Sequence, residues 1–211
     1  SFPLLFFRQG EFVQVNIIVS PPVTLERSLF VSIKIDGMVR VAVATPHVKV
    51  ADCPYNKNEM AKMIREAAAN GASVIAFPEL AMTGYTCGDL FKDRKLMESA
   101  KACLFDLIEE TEDLDILCAV GMPIPSGGAL YNCAAVFSRG VLLGLPAKQH
   151  IPNDSEFYEL RQFSPAPESG MLRYAGDWYG CRDVVFELAP DVTVGVEICE
   201  DVWVADPPSV T

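Results

Sequence analysis

The sequence predicts an α/β fold of stacked sheets with helices outside. Two observations carry this. Apolar strand-like runs outnumber amphipathic helical ones, in the order β-α-β-α-β-β-β-loop-β-β, a layered α/β pattern. Several runs are apolar without alternation, as strands covered on both faces are. The chain has 211 residues, half of them hydrophobic and 21% charged, so it is neither disordered nor a coiled coil. One domain is the natural expectation at this length.

Residues 1–36 read apart from the rest. They show no clear period, lack an initiator Met and are broken by Pro21-Pro22. FPLLFF is too short for the apolar core of a signal peptide and no basic segment precedes it. Either an irregular extension or a misassigned start fits, and the second is favoured. From Met38 the text becomes regular. MVRVAVAT (38–45) alternates through Val39, Val41 and Val43 and reads as a strand. NKNEMAKMIREAAANG (56–71) spaces Met60, Met63, Ile64 and Ala67 for one helix face and stops at Gly71. SVIAFPEL (73–80) is a short strand halted at Pro78. KLMESAKACLFDLIEET (95–111) repeats the helical spacing through Leu96, Ala100, Cys103, Leu104 and Leu107. Strands follow at 115–122, 130–137 and 141–148, the last two separated by Ser138-Arg139-Gly140. Residues 151–170 are polar and Pro-rich, a loop with one helical turn at most. RDVVFELA (182–189) and VTVGVEI (192–198) close the set as strands.

Composition excludes several function classes. Lys+Arg number 17 against 28 Asp+Glu, a net charge of −11. Nucleic acid and anionic membranes need a positive surface, so neither is expected as a partner. The stretch from Phe12 to Leu25 is free of charge but contains two prolines and is too short for a span. Seven cysteines without CxxC spacing and only two histidines argue against a metal site and against a disulfide framework. A reducing, cytoplasmic compartment with mostly buried thiols is expected.

Three reactive residues follow predicted strands: Glu79, Lys148 and Cys199. Loops at the carboxyl ends of strands collect catalytic groups in α/β proteins. Cys199 sits in a strand-to-turn position like that of nucleophile elbows. A helix starting there would favour its thiolate. A buried Glu79 would suit a proton acceptor, and the Lys148 ammonium an oxyanion stabiliser. Taken singly, each also reads blandly, as a buried thiol, a solvated carboxylate and a surface lysine.

The surrounding text resembles the nitrilase (carbon-nitrogen hydrolase) superfamily. Its three signatures stand in order as AFPELAMTGY, GLPAKQH and GVEICEDVW. MTGYTCGDLF (82–91), VRVAVATPHVKVADCPYN (39–56) and EFYELRQFSPA (156–166) narrow the match to the amino-terminal glutaminase domain of glutamine-dependent NAD synthetases. The resemblance covers residues 37–211 and implies a nitrilase-like αββα sandwich. It implies Cys199 as the nucleophile toward the glutamine amide, Glu79 as general base and Lys148 as oxyanion stabiliser. Glu159 matches a further glutamate that orients the lysine. Tyr85, Phe157 and Glu200 match positions lining the glutamine pocket. No cofactor is implied for the glutaminase chemistry. ATP and Mg2+ belong to the synthetase domain, the partner that receives ammonia, and the family forms homo-oligomers.

Three departures stand out. Asp154 replaces a usual aromatic residue, Ala166 a usual glycine, and the sequence stops 12 residues after Cys199. The expectation is therefore a sandwich incomplete at its C-terminal end, with the synthetase domain absent. Apolar sheet surface left open costs about 25 cal/mol for each Å², so the isolated piece is expected to fold poorly and to show little activity. A stand-alone amidase on another small carboxamide, or an inactive fragment serving oligomer contacts, are the alternatives.

Overall fold

The computed structural model describes residues 38–190 and 192–210. The expectation for residues 1–36 lies outside them. Strands β1 (Val41–Val43), β2 (Val74–Ala76), β3 (Leu117–Ser126), β4 (Ala129–Ser138) and β5 (Val141–Gly144) form one five-stranded sheet in chain order. The first three are parallel, and β4 and β5 return antiparallel. Parallel neighbours need crossovers. These are α1 (Cys53–Ala69) and, between β2 and β3, a segment that includes α2 (Arg94–Glu110).

Both helices start at capping aspartates. Asp52 accepts the Tyr55 N–H at 3.1 Å and Asp93 the Lys95 N–H at 2.8 Å, satisfying donors that the first turn leaves free. Helix α1 ends as expected, with Gly71 at φ +76. Met60 and Ile64 of α1 and Leu104 and Leu107 of α2 are fully buried, each contributing roughly 1.5–3 kcal/mol.

The two faces of the sheet are separated by strand alternation. Ile75, Cys118, Val120, Met122, Cys133, Ala135 and Phe137 join the helices in one core. Val74, Ala76, Leu117, Ala119 and Val136 point the other way. There they meet Phe186, Leu188 and Val194 of a hairpin made by β8 (Val185–Ala189) and β9 (Val192–Gly195). The layers run helices, sheet, hairpin, in agreement with a sheet covered on both sides.

Two expectations need correction. The run 141–148 is strand only to Gly144. Pro146 has no N–H for a ladder, and the chain rejoins β4 through one bridge between Cys133 and Ala147. Residues 171–180 carry an unexpected hairpin, β6 (Met171–Tyr174) and β7 (Asp177–Gly180). Its tight turn holds Ala175 and Gly176 at φ +52 and +102. Leu172 and Tyr174 enter the helix-side core, where Tyr174 stacks on Phe105 with ring centroids 6.3 Å apart. Among the described residues, no helix is long and apolar enough to cross a membrane.

Candidate active site

Glu79 lies in the loop that leaves β2. That loop is pinned to β3 by Phe77 N–H to Ala119 O (2.9 Å) and Met82 N–H to Gly121 O (3.0 Å). Gly121 is what permits so close an approach. A Cβ there would stand 2.3 Å from the Pro78 carbonyl oxygen and 2.4 Å from the Leu80 nitrogen. A real Cβ must push the loop away, and Glu79 with it. Gly121→Ala is therefore expected to cost about 1–3 kcal/mol through overpacking and, if Glu79 acts as the expected proton acceptor, to lower kcat at least tenfold, since misplacing such a group by about 1 Å costs up to 100-fold. Thermal melting and steady-state rates on the purified full-length variant check both. Unchanged kcat would show that the loop yields without moving Glu79.

Lys148 enters from beyond β5. Its N–H bonds Asn132 O at 2.8 Å and its carbonyl accepts the Ala166 N–H at 2.9 Å. The side chain is 0% exposed. Its Nζ reaches Glu79 Oε1 at 2.8 Å and Glu159 at 2.8 Å and 3.0 Å. Glu159, also buried, opens a short 3-10 turn, Glu159–Arg161. Tyr85 donates its hydroxyl to Glu159 Oε1 at 2.8 Å. Arg161 grips Asp89 through Nε and Nη2. Asp89 lies in the 3-10 segment Tyr85–Lys92, so the fork ties the Tyr85 segment to the Glu159 turn.

Charge and burial set the protonation states. Burial pushes the Glu79 carboxyl above its ordinary value, with Lys148 opposing and Glu159 adding to the rise. Burial alone would lower Lys148. The two carboxylates outweigh it and hold the ammonium above its ordinary value. Burial, followed by the hydrogen bond to Glu159, pushes the Tyr85 hydroxyl up, so it remains a donor.

Cys199 opens the 3-10 turn Cys199–Val202 with φ +48, a left-handed conformation unusual for a side chain larger than Gly. The thiol is half-buried and lies within the fields of Glu79, Lys148, Glu159 and Glu200. Burial and then Glu79 push it up to about 11, with Lys148 opposing. This overturns the expectation of a thiolate favoured by a helix start. The segment is a single 3-10 turn of four residues, and burial is the largest influence on the thiol. Burial thus holds both the Glu79 carboxyl and the Cys199 thiol above their ordinary values.

The structure thus brings Glu79, Lys148, Glu159, Tyr85 and Cys199 together, with Glu200 next to Cys199. Phe157 is half-buried on the segment leading to Glu159, its N–H bonded to Asp154 O at 2.9 Å. Asp154, in the usual aromatic position, thus contributes its backbone to that turn. Two residues escaped the sequence reading. Asn132 Nδ2 donates to Glu79 Oε1. Asp201, 2% exposed, accepts the N–H groups of Gln149 (3.0 Å) and His150 (2.8 Å) and contacts His150 Nδ1 (2.9 Å). It locks the turn of Cys199 onto the two residues that follow Lys148. The only hint in the text was an acidic residue two places after a candidate nucleophile. Among the described residues, no group of His, Cys, Asp and Glu is placed to hold a metal ion.

Comparison with known proteins identifies the family. The family model of carbon-nitrogen hydrolases matches residues 40–207. The chain is 37% identical over 177 residues to the glutamine-dependent NAD(+) synthetase of Mycobacterium tuberculosis, covering 82% of this chain and 26% of that protein. The synthetase of Aquifex aeolicus is 31% identical over 169 residues, covering 80% and 27%. The chain spans about a quarter of the length of these curated relatives. Among solved structures, the glutamine-dependent NAD(+) synthetase from Cytophaga hutchinsonii matches with a TM-score of 0.66 and 28% identity, over 72% of this chain and 26% of that one. An amidase from Nesterenkonia sp. shares the fold, with a TM-score of 0.53, 18% identity and coverage of 66% and 53%. The nitrilase-like layering and the family match over residues 40–207 lead to one conclusion: this chain belongs to the carbon-nitrogen hydrolase family.

Proposed function

We propose that this chain hydrolyses the side-chain amide of glutamine and supplies the ammonia to an ATP-dependent amidation of deamido-NAD, carried out by a synthetase domain of the full-length protein. The observation that carries the reading is Lys148, buried between Glu79 and Glu159, with Cys199 within the electrostatic field of all three. The names of the matched relatives supply the substrate.

In this mechanism Glu79 takes the proton from Cys199 Sγ as the sulfur attacks the amide carbon. A C–S bond forms, and the carbonyl π electrons move onto oxygen. Lys148 and a backbone N–H of the 199–202 turn stabilise that oxyanion. Glu79 then protonates the departing nitrogen, the C–N bond breaks and ammonia leaves. Water, deprotonated by Glu79, attacks the thioester, and the thiol is restored with release of glutamate. Glu159 holds Lys148 in place and Tyr85 holds Glu159. Tyr85 and Phe157 line the glutamine pocket, and Glu200 offers a carboxylate to the substrate α-ammonium. The glutaminase step needs no cofactor. ATP and Mg2+ serve the synthetase step.

The test is glutamate release by the purified full-length protein from glutamine, compared with butyramide and other neutral amides. A preference for glutamine of about 100-fold or more in kcat/KM is expected, because a pocket built for charged groups rejects analogues that lack them. Equal turnover of simple amides would replace this reading with that of a general amidase.

A further inference from the structure

Glu79 Oε1 receives two donors, Lys148 Nζ and Asn132 Nδ2. The same Asn132 Nδ2 stands 3.5 Å from Glu159 Oε2. Asn132 is 1% exposed, within β4 and opposite Pro123 of β3. Its Oδ1 is buried without a hydrogen-bond partner. Rotating the amide by half a turn offers no relief, because it would aim the oxygen at two carboxylates. A buried carbonyl left unpaired costs about 1–3 kcal/mol, and Asn is a poor strand residue. An apolar side chain of similar size would serve the fold better. What Asn132 contributes is a neutral donor between two like charges.

We infer that Asn132 is a positioning residue for the general base: together with Lys148 it engages Glu79 Oε1 and so reserves Oε2 for the proton of the nucleophile. The inference rests on the role proposed for Glu79. The charged and titratable groups facing Glu79 are Lys148, Glu159, Tyr85 and Cys199. Burial and Glu159 favour its protonated form, whereas Lys148 and the Asn132 hydrogen bond favour the carboxylate. Removing Asn132 therefore leaves a base that stays protonated to higher pH. The acid limb of the rate profile must move upward, which a purely structural role would not cause.

The experiment compares wild type, Asn132→Leu and Asn132→Ser in the full-length protein. Ser leaves room for water and serves as the folding-tolerant variant should Leu disrupt the core. For each, kcat and KM for glutamine are measured from pH 4.5 to pH 9. Separately, the rate of Cys199 alkylation by 2-chloroacetamide is followed by peptide mass spectrometry over the same range. The expected result is a kcat about 10- to 100-fold lower, KM within about twofold, and acid limbs of both reactions displaced to higher pH. Acid limbs that coincide with wild type overturn the inference. If wild type alkylates at Cys199 but leaves glutamine intact, the glutamine reading fails, and the alkylation profiles alone decide the role of Asn132.

Discussion

Lys148→Met is expected to cost about 3–5 kcal/mol of stability, because it leaves buried carboxylates without their cation. For a chain of this size that is a fall in Tm of about 10 °C. Glu79 is already held above its ordinary value with Lys148 present. Without that opposing charge it rises further. A carboxyl whose folded value is raised stabilises the fold below its unfolded value, and that stability is lost as pH rises through the folded value. The deficit of the variant must therefore shrink as pH falls from 8 toward 5. Melting curves across that range test the sign. A deficit independent of pH would mean that the lysine acts by packing alone. Activity is expected to fall about 100- to 1000-fold at pH 7 from loss of the oxyanion stabilisation proposed for Lys148.

Cys199→Ala removes the proposed nucleophile, and a loss of about 10⁶-fold in kcat is expected, the scale seen when a single nucleophile is deleted. The fold should be little affected, since the thiol is only half-buried and Ala meets the same Cβ restriction at positive φ that Cys199 already meets. Wild type quenched in acid during turnover should carry a glutamyl adduct on the peptide containing Cys199. The variant should carry none. An adduct on one of the six other cysteines, all buried, would displace Cys199 from its role.

The helices and the central strands were legible in the text because their signals are local. Met60, Ile64 and Ala67 recur at the period of a helix, and Gly71 ends it. The hairpin at 171–180 was not legible. It has an Ala-Gly turn in place of a usual hairpin dipeptide, and its alternation is short. Glu79, Lys148 and Cys199 could be found by their places after strands, yet their protonation could not. The rise of the Cys199 thiol follows from burial among carboxylates that are far away in sequence. Asn132 and Asp201 were invisible for a related reason. An Asn in an apolar run reads as a poor strand residue, and an Asp after a Cys reads as solvated. Each acquires meaning only from donors and acceptors that the sheet delivers.

Lys148 meets Glu79 across 69 residues of chain. At the usual pace of synthesis, about 5–20 residues per second, the ribosome needs roughly 3–14 s to make that interval. Once β3 is complete at Ser126, and before Lys148 is made, the parallel strands and both helices can condense around a loop that carries an uncompensated carboxylate. That loop must stay hydrated until its cation arrives. Nascent chains stalled before Lys148 should present an open, protease-sensitive Glu79 loop, and the lock that Asp201 places on the nucleophile turn can close only after that.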